Sequence, residues 1–229
     1  MTTVVLCGSL GSSGAMWDPQ AEALADFDVV RVELPGHGGT PRAEVGDVAD
    51  LARLALAAVG AERFSWVGAS LGGAVGMRIA LDAPDRIERL ALVCTSARFG
   101  PPEVWHERAA LVRVEGLEAV VDAALARWFT PSFADVRRYR EMFLSTDAEA
   151  YARCCDALAR WDARDAVARI TAPTLVVSGT DDVAAPPEHG ELLAARIPGA
   201  RHVVVAGGRH LLSVERAEEL NPLLLEHLR

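Results

Sequence analysis

Short runs of apolar, often β-branched residues recur along the chain at positions 3–7, 29–34, 64–67, 90–94, 175–178 and 202–205. A glycine-bearing or polar turn follows each run, and stretches with apolar residues at helical spacing lie between them, the pattern of parallel strands joined by crossover helices. Helices are expected over 48–59, over 73–83, where Pro84 closes the segment, and over 213–228 at the carboxyl end. Between about Arg98 and Asp165 the strand rhythm stops, and 105–114, 117–129, 135–144 and 148–158 all carry helical spacing. The expected architecture is α/β: a mostly parallel central sheet with helices on both faces, built from residues 1–97 and 166–229, with residues 98–165 inserted as a helical lid. No internal repeat or low-complexity tract interrupts it.

Composition narrows the function. With 229 residues, 51% of them apolar, the chain can bury one substantial core. A net charge of -9 argues against nucleic acid as a partner, because a phosphate-backbone binder needs a basic face. All 23 residues of the Lys+Arg count are arginine, so no lysine exists to form a Schiff base with pyridoxal phosphate or to serve a phosphate-binding loop. Cys7, Cys94, Cys154 and Cys155 lack C-x-x-C spacing, and a disulfide between the vicinal pair would be strained; free thiols in a reducing cytoplasm are expected. The run before Cys7 is too short, and lacks the basic segment, for a secretory signal. No later run approaches the ~20 apolar residues that span a bilayer. Neither a membrane partner nor a metal is expected, since no histidine or cysteine cluster has zinc-type spacing.

The chemistry begins at Gly68-Ala69-Ser70-Leu71-Gly72, a G-x-S-x-G pattern between a predicted strand and a predicted helix. A sharp turn there lifts the serine hydroxyl out of the sheet, and its tightness requires small residues two positions to either side. The start of the helix also favours negative charge beside Ser70. Two more strand-end loops carry partners: Gly179-Thr180-Asp181-Asp182 after one strand, and Gly207-Gly208-Arg209-His210 after the last. All three loops leave the carboxyl ends of their strands, so a hydroxyl, a carboxylate and an imidazole can meet at one sheet edge. Among the six histidines, only His210 has this glycine-flanked setting; His37, in Leu34-Pro35-Gly36-His37-Gly38, is expected to be structural.

The order Ser, Asp, His and the nucleophile turn resemble the α/β-hydrolases. That resemblance selects Asp182, three residues after Gly179 and four before Pro186, as the acid, and leaves Asp181 as a turn or capping residue. It also implies an oxyanion hole made by the backbone N–H groups of Leu71 and of Leu10, the latter in the loop after the first strand.

Within that fold the chain resembles the 3-oxoadipate enol-lactonases, which open an enol-lactone in the β-ketoadipate pathway of aromatic catabolism. The likeness is carried by Ser9-Leu10-Gly11 with Met16-Trp17-Asp18-Pro19-Gln20, by the turn around Ser70, and by Cys94-Thr95-Ser96-Ala97-Arg98 leading to Trp105. It continues through Arg127-Trp128-Phe129-Thr130-Pro131, Tyr151-Ala152-Arg153-Cys154-Cys155, Gly179-Thr180-Asp181-Asp182 with Pro186-Pro187, and His210-Leu211-Leu212-Ser213-Val214-Glu215. The family usually has a further strand or two before the oxyanion strand, so the amino-terminal part of the sheet is expected to be missing. Gly8 and Ala185 stand where asparagine and threonine are common.

The resemblance implies that Ser70 attacks the lactone carbonyl, that His210 takes its proton and that Asp182 orients the imidazole, with no cofactor. An acidic protein acting on an anionic substrate needs a local cation, and ten arginines lie between Arg98 and Arg164. Arg98 and Arg127 are nominated for the substrate carboxylate, and Trp105 and Trp128 as apolar walls. Rival readings are a broader carboxylesterase or lactonase with the same triad, and a small-molecule-binding homologue without turnover.

Overall fold

The computed structural model describes residues 2–229. Its elements run β1 (Thr3–Cys7), a 3-10 turn (Gly14–Trp17), α1 (Asp18–Ala23), β2 (Asp28–Val32), α2 (Val48–Ala58), β3 (Phe64–Ala69), α3 (Leu71–Asp82) and β4 (Ile87–Val93). Then come α4 (Pro102–Glu115), α5 (Glu118–Trp128), α6 (Val136–Leu144), α7 (Ala148–Arg160), β5 (Thr174–Gly179), α8 (Pro187–Arg196), β6 (Arg201–Val205), α9 (Leu212–Glu215) and α10 (Ala217–Leu228).

The six strands form one sheet in the order β2-β1-β3-β4-β5-β6, and every pairing is parallel. Every residue of β1, β3 and β5 is buried, so both faces of the sheet are covered and these strands read as near-continuous apolar runs. The edge strands β2 and β6 are half-exposed along most of their length. On the covering layers, α2 packs against α3, which lies on β3 and β4, while α1 packs against α10, which also lies on β4. The chain passes from β1 outward to β2 and then back to β3 on the other side of β1. That reversal of direction leaves a crevice at the carboxyl ends of β1 and β3, where Cys7 and Gly68 are register partners.

Helices α4 to α7 form the expected insertion between β4 and β5, α4 packing along α7 and α5 against α6. Two helices were not signalled by the sequence pattern. Pro187, at the first position of α8, suits a helix start, but only Gly190 and Leu193 of that helix are fully buried, which leaves little periodicity to read. The six-residue α1 is too short for a periodic signal. The expected terminal helix over 213–228 is divided: Arg216 leaves helical geometry at φ -130° and ψ 43°, separating α9 from α10, and its guanidinium donates to the Gly207 carbonyl at 3.0 Å. β2 ends at Val32 and not at Leu34 because Glu33 turns out of the ladder to accept the N–H groups of Gly14 and Gly39. Among the described residues, no helix is long and apolar enough to cross a membrane.

Two backbones approach closely where β1 meets the start of α3. The Gly72 N–H donates to the Gly8 carbonyl at 3.1 Å, and a Cβ on Gly72 would overlap the Cys7 carbonyl. Gly72→Ala is therefore expected to lower stability by about 1–3 kcal/mol through overpacking against fixed backbone. Gly60→Ala, with no atom near the added methyl, should stay within about 0.5 kcal/mol of wild type. Urea unfolding midpoints of the two variants check this; equal stabilities would show that the close approach is not constraining.

Candidate active site

The turn at Ser70 is built from strain held by hydrogen bonds. Ser70 caps α3 with φ 53° and ψ -115°, a conformation that L residues rarely adopt and that costs about 1–3 kcal/mol. Its N–H donates to Val93 O at 3.0 Å, and its carbonyl accepts from the Thr95 hydroxyl at 2.6 Å and from Gly73 N at 2.9 Å. The Trp66 indole holds the turn from below by donating to Gly72 O at 3.0 Å. A Cβ on Gly68 would collide with the Gly72 carbonyl, so both flanking glycines are required by contact as well as by pattern. Ser70 thereby points away from the strand towards β5 and β6.

From those strands come its partners. Ser70 Oγ lies 2.9 Å from His210 Nε2, and His210 Nδ1 lies 2.8 Å from Asp182 Oδ2; all three side chains are buried. Asp182 Oδ1 accepts the N–H groups of Ala184 at 2.8 Å and Ala185 at 3.0 Å. Burial opposes ionisation of Asp182, yet the imidazole and these donors outweigh it and hold the carboxyl below its ordinary value. A carboxylate at Nδ1 keeps the proton there and leaves Nε2 free to accept from the serine. Because Ala185 contributes through its backbone, the departure from threonine leaves this contact intact. Asp181 is exposed in the turn, accepting from the Thr180 hydroxyl at 2.7 Å.

On the other side of Ser70 lies the loop after β1. The N–H groups of Leu10 and Leu71 donate to no protein acceptor among the described residues. Gly8 is tightly enclosed, since a Cβ there would lie 2.6 Å from Ser12 Oγ and 2.8 Å from Met16 Sδ. The loop is braced by His37, a fully buried ring whose Nε2 accepts the Gly11 N–H at 3.0 Å while Nδ1 donates to Pro35 O at 2.9 Å. Burial pushes His37 down to about 4, so it is the neutral ring that carries both bonds.

A pocket of about 40 Å³ joins Ser70, His210 and Leu10 to the inner faces of α4, α5, α6 and α7. Trp105, Trp128, Phe143 and Tyr151 supply its apolar wall, and Arg108 and Arg127 its charge. Arg98 is not among them: it lines a separate cavity with Ser96, Arg164 and His189. Arg108 was not singled out by the sequence. It lies over the Trp105 ring, 5.2 Å from the centroid, and the i, i+3 spacing of the two residues was the signal available. Neither Arg108 nor Arg127 pairs with a carboxylate among the described residues, and Arg127 Nη2 is buried without any partner. Burial, followed by the nearby Arg108 charge, lowers the pKa of Arg127. All four cysteines are buried free thiols, and no group of three potential metal ligands occurs among the described residues.

A family model described as the alpha/beta hydrolase fold matches residues 2–217. Over 230 residues the chain is 30% identical to 3-oxoadipate enol-lactonase 2 of Acinetobacter baylyi, covering 95% of this chain and 85% of that one. It is also 30% identical over 241 residues to a protein of Yersinia enterocolitica provisionally named carbamate hydrolase RutD, with 99% and 87% covered. The crystal structure of the enol-lactonase from Burkholderia xenovorans LB400 matches with a TM-score of 0.94 at 39% identity, covering 99% of this chain and 91% of that one. Equal identity to proteins of different named substrates leaves the choice to the chemistry of the cavity.

The His37 brace has a pH signature. A ring held near 4 when folded and near 6.5 when unfolded binds fewer protons in the native state between those values. Its contribution to stability is complete above about 6.5 and is lost as pH falls towards 4. His37→Gln offers an acceptor and a donor but does not titrate, so its melting temperature should fall less between pH 7 and pH 5 than that of wild type. Parallel pH profiles for the two proteins would disprove the assignment.

Proposed function

The chain belongs to the alpha/beta hydrolase family, and from that premise we propose that it opens the enol-lactone of 3-oxoadipate, a small cyclic ester that retains one free carboxylate. The observation that carries this reading is the pair Arg108 and Arg127: two guanidiniums in the serine's own cavity, without acid partners, in a chain of net charge -9. Half-buried cations without acid partners are favoured when a ligand neutralises them, and a guanidinium matches a carboxylate in shape and charge. Trp105 and Trp128 then flank the ring as apolar walls.

In this mechanism Ser70 Oγ attacks the lactone carbonyl as His210 Nε2 takes its proton, and Asp182 stabilises the imidazolium. The N–H groups of Leu10 and Leu71 receive the oxyanion. Collapse breaks the ring C–O bond, and the departing oxygen is an enolate, a good leaving group; it takes up the proton His210 removed from Ser70, becoming the ketone and returning the imidazole to its neutral form. Water, deprotonated by His210, then cleaves the acyl-serine ester and releases the dicarboxylate. Residues 98–165 serve as a lid: its helices bring Trp105, Arg108, Arg127, Trp128, Phe143 and Tyr151 over Ser70, and substrate reaches the serine past them. The broader reading, a carboxylesterase or lactonase of anionic substrates, rests on the same arginines.

Purified protein should open the enol-lactone, followed by ring absorbance, faster than it hydrolyses a neutral aryl ester or a carbamate at equal concentration. Ser70→Ala should cut lactone opening by about 10⁴-fold or more while the protein stays folded. Substantial residual turnover in a folded variant removes Ser70 as nucleophile. Arg127→Met should raise KM for the lactone by about 10-fold or more, the worth of a charge-assisted hydrogen bond, and change neutral-ester hydrolysis far less. If both substrates respond alike, Arg127 does not hold the carboxylate.

A further inference from the structure

The loop that carries His210 is also the cap of α5. The last carbonyls of a helix have no partner within it, and at the end of α5 they are met from outside the insertion. Arg209 donates to Ala126 O and, at 3.2 Å, to Phe129 O; the N–H of His210 donates to Arg127 O at 3.4 Å, and that of Leu211 to Trp128 O at 3.1 Å. The Glu215 carboxylate closes the clamp, accepting from Thr130 N at 3.0 Å and from the Thr130 hydroxyl. Two motifs that stand far apart in the sequence, Arg127-Trp128-Phe129-Thr130 and His210 to Glu215, are thus one hydrogen-bonded body. One residue of it, Arg127, turns its side chain into the cavity and gives its carbonyl to the backbone of the base.

We infer that Glu215 and Thr130 are positioning residues that fix the distance between the anion-holding guanidinium of Arg127 and the imidazole of His210. Selection for carboxylate-bearing substrates is then expressed in kcat, not in KM alone. The inference rests on the anionic-substrate reading above. A substrate anchored by its carboxylate on Arg127 reaches the serine in register only if that body is rigid. A neutral ester has no anchor there and depends on the His210 imidazole, which Asp182 orients from the loop after β5, whereas the clamp holds the backbone of the His210 loop. Displacements of about 1 Å in such a register can cost 10²-fold in rate.

The test compares nitrophenyl hemisuccinate, which carries a carboxylate, with nitrophenyl butyrate, which does not, in wild type, Glu215→Ala and Thr130→Val. Thr130→Val removes the hydroxyl, which bonds Ser132 Oγ at 2.9 Å as well as Glu215, keeps the backbone N–H bond to Glu215, and covers the case in which Glu215→Ala folds poorly. Glu215→Ala is expected to lower kcat for the hemisuccinate by about 10- to 100-fold, with KM within about threefold and butyrate kcat reduced by no more than about threefold. Thr130→Val should move the same ratio in the same direction by a smaller amount. Equal losses on both substrates, a rise in hemisuccinate KM at constant kcat, or no change in either variant overturns the inference. A wild type that shows no preference for the hemisuccinate overturns the anionic-substrate reading itself, whereas a preference that survives in both variants overturns the clamp alone.

Discussion

The approach of two backbones at the carboxyl ends of β1 and β3 is the constraint from which the rest of this structure follows. Gly72 lies against the Cys7 carbonyl and Gly68 against the Gly72 carbonyl, so the chain can leave β3 and enter α3 only through a turn too tight for side chains at those two places. Ser70 takes up the resulting strain and is pushed clear of the sheet. The same approach sets the loop after β1 beside the serine, because Gly72 N–H binds Gly8 O. Ser70 and the loop after β1 are therefore positioned by one contact, and the loops after β5 and β6 bring Asp182 and His210 from the opposite side.

Electrostatics inside the cavity run against those of the whole molecule. The chain carries a net charge of -9, yet among the described residues the space in front of Ser70 is lined by two guanidiniums, one imidazole and no carboxylate. Asp182, the acid nearest the serine, is taken up by His210 and by the N–H groups of Ala184 and Ala185. A net negative charge repels anions at long range, while the two local cations attract them over a few ångströms, where low dielectric makes the attraction strongest.

Much of this was legible before any coordinates. Strands β1, β3 and β5 are buried on both faces, so their apolar runs are near-continuous, and the glycines around Ser70, Asp182 and His210 marked strand-end loops with chemistry in them. Less was visible at the edges: β2 is half-exposed and its end is set by Glu33, whose bonds to Gly14 and Gly39 leave no periodic trace. The break at Arg216 was hidden because Leu212, Leu220, Leu224 and Leu228 are all buried and keep apolar spacing through it. Among ten arginines in the insertion, spacing could not tell which face inward; Arg98 was nominated and lies in another cavity, whereas Arg108 was overlooked and lines this one. That distinction depends on how α4 and α5 sit over the sheet, a tertiary fact with no local signature.

Because the carbonyls at the end of α5 find their donors in the loop of Arg209, His210 and Leu211, the helical insertion is not a detachable cover. Anyone grafting a foreign insertion onto this core to change its selectivity would orphan those donors, and would have to transplant residues 126–130 with their geometry unchanged or rebuild the histidine loop to match. The freely exchangeable part of the insertion is correspondingly narrower than its boundaries suggest, because Asp147 N–H also donates to Gly36 O and the Trp161 indole to Ser96 O.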